Sequence, residues 1–104
     1  MDETTFNALA EATLSEVEQR VEASGIDVDF EFSSAGVFEI EFANGSKIIV
    51  NRHGSAQEIW VAARSGGFHF RHDGSAWRDT RDQVELFAKL SMLIGGQVGE
   101  PVSL

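Results

Sequence analysis

The chain of 104 residues is 42% hydrophobic and 24% charged, contains no cysteine and carries a formal net charge of -9. A chain this short supports one core and no second independent one, so multidomain enzyme schemes are excluded. The missing cysteines exclude disulfides, thiolate zinc sites, thiol nucleophiles and cysteine-held iron–sulfur clusters, and any metal must meet oxygen or imidazole ligands.

From the N-terminus, Phe6, Leu9, Thr13, Leu14, Val17 and Val21 recur at three- and four-residue steps. This spacing predicts an amphipathic helix over 4–23, ending near Ser24-Gly25. On the same wheel Glu11, Glu18 and Glu22 fall within about 40° of one another, away from the apolar stripe. The period then changes to two. Ile26, Val28, Phe30 and Phe32 alternate with Asp27, Asp29 and Glu31, and Phe38, Ile40 and Phe42 alternate with Glu39 and Glu41, which predicts two half-buried strands. Asn44-Gly45 marks a hairpin before Ser46–Asn51. A two-residue turn would bury Lys47. A three-residue loop with Gly45 left-handed instead pairs Ile40 with Ile48 and Phe38 with Val50, and sets Glu41 opposite Lys47.

Further strands are expected at 58–64, 68–72 and 76–79, so that strands occupy about 26–79. Every link between them is short, which rules out parallel crossovers and predicts a six-stranded antiparallel meander. Thr80-Arg81-Asp82-Gln83 reads as a capping box opening a second helix over 81–95, closed by Gly95-Gly96 and followed by an unassigned tail, 96–104. The expected fold is a single α+β domain, a two-layer sandwich with both helices packed on one face of the sheet. The opposite sheet face then grades from acidic, at Asp27, Asp29, Glu31, Glu39 and Glu41, to basic, at Arg64, His69 and Arg71.

Charge follows the same gradient. Residues 1–43 hold eleven of the seventeen acids against one base, Arg20, whereas residues 44–104 hold seven bases against six acids. A rigid anionic surface repels phosphate backbones and anionic lipids, so neither nucleic acid nor membrane is an expected partner. No apolar stretch approaches the roughly 18 residues of a membrane span, and Met1–Thr5 has no basic region ahead of an apolar run. The expectation is a soluble cytoplasmic protein.

The sequence contains no GxGxxG, P-loop, HExxH or GxSxG pattern and no tyrosine, so the enzyme classes those motifs define find no foothold. His69 and His72 differ in strand parity and His53 is expected in a loop, so the three histidines are not a joint metal site and read as separate surface or boundary residues. The acidic stripe has two readings: a solvated face that keeps a small protein soluble, or a surface for hard cations and basic proteins. An open ridge of carboxylates lacks an enclosing cage, so its metal affinity is expected to be weak and its selectivity poor. Trp60 has the outward parity of its strand, and either covers its neighbours or anchors a protein contact. Trp77 reads as core.

Asp27-Val28-Asp29-Phe30-Glu31, the run from Asn44 to Arg52, Ile59-Trp60-Val61-Ala62 and Gly66-Gly67-Phe68-His69-Phe70, in this order of elements, resemble the bacterial frataxins over about residues 3–95. The resemblance implies a non-enzymatic iron-binding protein of iron–sulfur cluster assembly. Such a protein carries ferrous or ferric iron weakly, accepts other divalent cations, and delivers iron or regulates a cysteine desulfurase and its iron–sulfur scaffold protein. It is implied to be a monomer that can form oligomers with iron. Carried over by position, the family's metal ridge falls on Glu11, Glu18, Glu22, Asp27, Asp29 and Glu31, and its partner contacts on Glu18, Glu22, Asn51 and Trp60. Asn7 stands where the family can have histidine, and Gln19 and Ala23 stand where it can have acids. Two alternatives remain: ferroxidase or iron-storage activity at the ridge, and an acidic interaction module with no metal role.

Overall fold

The computed structural model describes residues 1–33 and 36–104. Its elements are α1 (Glu3–Ala23), β1 (Val28–Ser33), β2 (Val37–Phe42), β3 (Lys47–His53), β4 (Glu58–Ala63), β5 (Gly66–His72), β6 (Trp77–Asp79) and α2 (Leu86–Val98). The strands form one antiparallel sheet in chain order, β1 to β6, with both helices on one face. The short link expected between β1 and β2 runs through residues 34 and 35, which lie outside the described residues.

Helix α1 starts where Asp2, as N-cap, accepts the Thr5 backbone N–H at 2.7 Å. Its apolar stripe of Phe6, Ala10, Leu14, Val17 and Val21 is buried against Phe38, Ile40, Ile48, Val50, Ile59 and Phe70 of the sheet. Each large side chain so enclosed stabilises the fold by roughly 1.5–3 kcal/mol relative to exposure. Trp77 belongs to this core: its indole Nε1–H donates to Thr13 Oγ1 at 2.9 Å. Thr13 in turn donates to the Leu9 carbonyl.

The β2–β3 hairpin has the expected register, with Ile40 opposite Ile48, Phe38 opposite Val50 and Glu41 opposite Lys47. Gly45 turns it at φ +84°, a left-handed conformation that favours glycine. The Lys47 ammonium nevertheless bonds diagonally to Glu39, at 2.7 Å, rather than straight across to Glu41.

Three expectations need correction. The first strand begins at Val28, not Ile26, because Val28 N–H donates to the Ile26 carbonyl at 3.1 Å in a three-residue turn. Its inward aromatics are also more open than a half-buried strand implies. Phe30 and Phe32 remain 36% and 37% exposed, since β1 is the sheet edge and the helical layer covers it incompletely.

The third correction concerns α2, which spans 86–98 instead of 81–95. Gln83 is left-handed at φ +65°, and Asp82 and Asp79 hold the buried Lys89 ammonium at 2.6 and 3.2 Å, so the Thr80–Gln83 segment is a turn and not a cap. Glu85 caps α2 instead, accepting from Phe87 and Ala88 N–H. The helix runs through Gly95-Gly96 because buried Gln97 binds Ser46 Oγ at 2.9 Å and accepts Arg64 N–H at 3.1 Å. It stops at Gly99, φ +82°. The tail then folds back, with Leu104 N–H donating to Ser91 Oγ and Val102 and Leu104 against the core.

Candidate metal and docking face

The β1–β2 register concentrates negative charge beyond what the individual strands suggest. Asp29 stands directly opposite Glu41, and Glu31 directly opposite Glu39, all four on the sheet face turned away from the helices. Like charges so placed are destabilising. Lys47 is the cation among them, and its ammonium is pushed above its ordinary value by the hydrogen bond and charge of Glu39 and then by Glu41. Asp27 and Asp29 line a shallow groove with Glu41 at the near end of this block.

The helical acids lie in the other layer at the same edge. Glu11 and Glu18 border a groove between α1 and β1 whose wall includes Phe32. Glu11 is drawn to Arg52, which reaches up from β3 and donates to its Oε1 at 2.9 Å. Glu22 is exposed one turn beyond Glu18. The sequence-derived set thus forms two rows: Glu11, Glu18 and Glu22 on the helix, and Asp27, Asp29 and Glu31 on the turn and outer face of β1. Among the described residues, no three acidic or histidine side chains converge closely enough to enclose a metal ion. A cation on this surface keeps much of its water.

Further across the sheet the surface becomes aromatic and basic. Asn51 faces Trp60, and Trp60 faces His69, in one row across β3, β4 and β5. His53 is the last residue of β3 and not a loop residue, which places it opposite Glu58 on the same outer face. Its ring stacks on Trp60 at 3.8 Å between centroids, and His69 stacks on the other side at 4.5 Å. Two of the histidines expected to be separate therefore share one indole. His72 instead packs edge-on against Trp77.

A family model for the frataxin-like domain matches residues 1–100. The chain belongs to the frataxin family. Among its frataxin relatives, the iron-sulfur cluster assembly protein CyaY of Dechloromonas aromatica is 60% identical over 104 residues, covering 100% of this chain and 99% of that protein. The protein of the same name from Janthinobacterium sp. (strain Marseille) is 52% identical, covering 100% of this chain and 96% of its own. The solved structure of frataxin from Psychromonas ingrahamii superposes with a TM-score of 0.90 at 31% identity, covering 99% of this chain and 97% of that one.

Against this frataxin frame, three features escaped sequence reasoning. Glu39 stands directly opposite Glu31 and Glu41 opposite Asp29, a pairing that follows only from the β1–β2 register, although the alternation of β2 already places both acids on the acidic face. The His53–Trp60–His69 stack depends on pairing across three strands. Buried Glu58 lies in the outward parity of β4, where an acid is ordinarily solvated.

Proposed function

We propose that this chain serves iron–sulfur cluster assembly as a binding and regulatory protein rather than a catalyst. In this reading its acidic edge captures ferrous or ferric iron weakly and docks on a basic surface of the cysteine desulfurase. The face around Asn51 and Trp60 contacts the iron–sulfur scaffold protein. The observation that carries the reading is the block formed by Asp29 opposite Glu41 and Glu31 opposite Glu39, continued on the helix by Glu18 and Glu22. Such self-repelling charge works against folding, and a cation or a basic partner relieves it. Open carboxylates suit hard cations without enforcing a geometry, which supports a loosely held cargo.

The test is charge reversal of Glu18, Glu22, Asp27 and Asp29 to lysine together, compared with Trp60→Ala. The quadruple variant is expected to weaken desulfurase binding at least about tenfold, with a reduced salt dependence, and to lose iron binding. Trp60→Ala is expected to spare iron and weaken scaffold binding. Unchanged desulfurase affinity in the quadruple variant would sink the docking claim.

A second reading, an acidic docking module without a metal role, draws on the lack of converging ligands among the described residues. It expects ferrous iron to perturb no more backbone resonances than magnesium does.

A further inference from the structure

The outer face of β3–β5 holds a carboxylate for which the iron and desulfurase reading has no use. Glu58 is only 5% exposed, and a carboxylate so enclosed is costly unless charge and hydrogen bonds compensate it. Its oxygens divide the task. Oε1 accepts the indole Nε1–H of Trp60 at 2.8 Å and lies 3.6 Å from His69 Nδ1, while Oε2 accepts the Arg71 guanidinium at 2.6 Å. Burial works to raise the Glu58 carboxyl, but hydrogen bonds from Trp60 and Arg71 and the charges of Arg71 and His69 outweigh it and hold the group below its ordinary value.

Trp60 is fixed in every direction that a ring can turn. His53 covers one face with an interplanar angle of 9°, and His69 covers the other with 8°. His53 is itself oriented, because its Nδ1 accepts Ala56 N–H at 3.3 Å. With both π faces covered and the N–H satisfied, the indole cannot rotate without losing a hydrogen bond and two stacks. Its carbon edge is what a partner can reach.

We infer that Glu58 is the positioning residue of the Trp60 contact: through the indole N–H its carboxylate holds the ring between His53 and His69, so the docking edge is set before a partner arrives. This rests on the reading of Trp60 as the scaffold contact and adds to it the group that prepares it. A side chain ordered in advance spares the complex the cost of ordering it, which corresponds to roughly two- to tenfold in affinity.

The test combines nitrogen-resolved NMR of the two indole N–H groups with calorimetric binding to the scaffold protein, on the full chain and its Glu58→Ala, Glu58→Gln, Arg71→Ala and Trp60→Ala variants. Trp77, whose indole donates to Thr13 in the core, is the internal control in the same spectrum. In Glu58→Ala the Trp60 indole proton is expected to move upfield and exchange with solvent at least about tenfold faster. Scaffold affinity is expected to fall two- to tenfold, with the Trp77 signal unmoved. Glu58→Gln keeps an acceptor and should restore most of both readouts. Arg71→Ala, altered at an exposed side chain, should give a smaller shift of the same sign and serves if Glu58→Ala does not fold. An unmoved Trp60 signal in Glu58→Ala overturns the inference, as does unchanged scaffold affinity in that variant when Trp60→Ala weakens binding. Unchanged affinity in Trp60→Ala overturns it by another route, removing the contact itself, while the indole signals still report whether Glu58 holds the ring.

Discussion

Neutralising the outer face of β1 with Asp29→Asn and Glu31→Gln is expected to make the protein more stable and a poorer ligand for the basic desulfurase surface proposed above. Both removed charges stand directly opposite another acid, Asp29 against Glu41 and Glu31 against Glu39. Each such pair costs about 0.2–1 kcal/mol, so the two together bound the gain at about 0.4–2 kcal/mol. Lys47 already sits 2.7 Å from Glu39 and partly offsets that second pair, which places most of the gain at Asp29. A gain near 1 kcal/mol corresponds to a rise in Tm of about 4–8 °C for a chain of this size. The assay is thermal unfolding by circular dichroism at about 0.01 M and about 1 M salt, where the Debye length is about 30 and about 3 Å. The stabilisation should be clear at low salt and collapse at high salt, while desulfurase affinity falls. A Tm that does not rise at low salt, or a rise that survives undiminished at high salt, refutes the reasoning that these charges oppose the fold.

Two further outcomes follow from buried polar links. Gln97→Ala removes the tie from α2 to Ser46 and to Arg64 N–H, and should cost about 1–3 kcal/mol in urea unfolding, with faster amide exchange at Ser46 and Arg64. Lys89→Met leaves Asp79, 1% exposed, without its ammonium partner and should cost about 3–5 kcal/mol. Burial opposes the charge on Lys89, yet the hydrogen bonds it donates to Asp82 and Asp79, with their negative charge, prevail and raise its pKa. Its contribution is therefore complete below the ordinary lysine value and is lost as pH rises through the raised one, so wild-type unfolding curves should show an alkaline loss that Lys89→Met lacks.

Most of the architecture was legible because local signals agreed with one another. The apolar stripe of α1, the two-residue alternation of Phe38, Ile40 and Phe42, and the choice between burying and exposing Lys47 each select one arrangement. The C-terminal helix was misjudged at both ends for one physical reason. The capping-box pattern at Thr80–Gln83 and the glycine stop at Gly95-Gly96 are local signals, and each is overruled by a long-range contact: Lys89 reaching back to Asp79 and Asp82, and Gln97 reaching the β2–β3 and β4–β5 turns. The exposure of Phe30 and Phe32 was hidden because alternation reports which side a residue faces, and says nothing of whether the strand is central or at an edge. At the candidate site, the acids were readable one strand at a time, whereas their opposition in pairs was not. The Glu58–Trp60 bond and its flanking imidazoles combine β4 parity with β3 and β5 registers, which no single segment encodes.

The most direct measurement is an anaerobic ferrous titration followed by residue-resolved NMR, repeated with magnesium and then with the desulfurase present. The account predicts that iron perturbs Glu18, Glu22, Asp27, Asp29, Glu31, Glu39 and Glu41 well beyond the effect of magnesium. It also predicts that the desulfurase perturbs the same edge, and that the Trp60 indole stays still in both. Iron effects that match those of magnesium, or that centre on the Trp60 face, would contradict it.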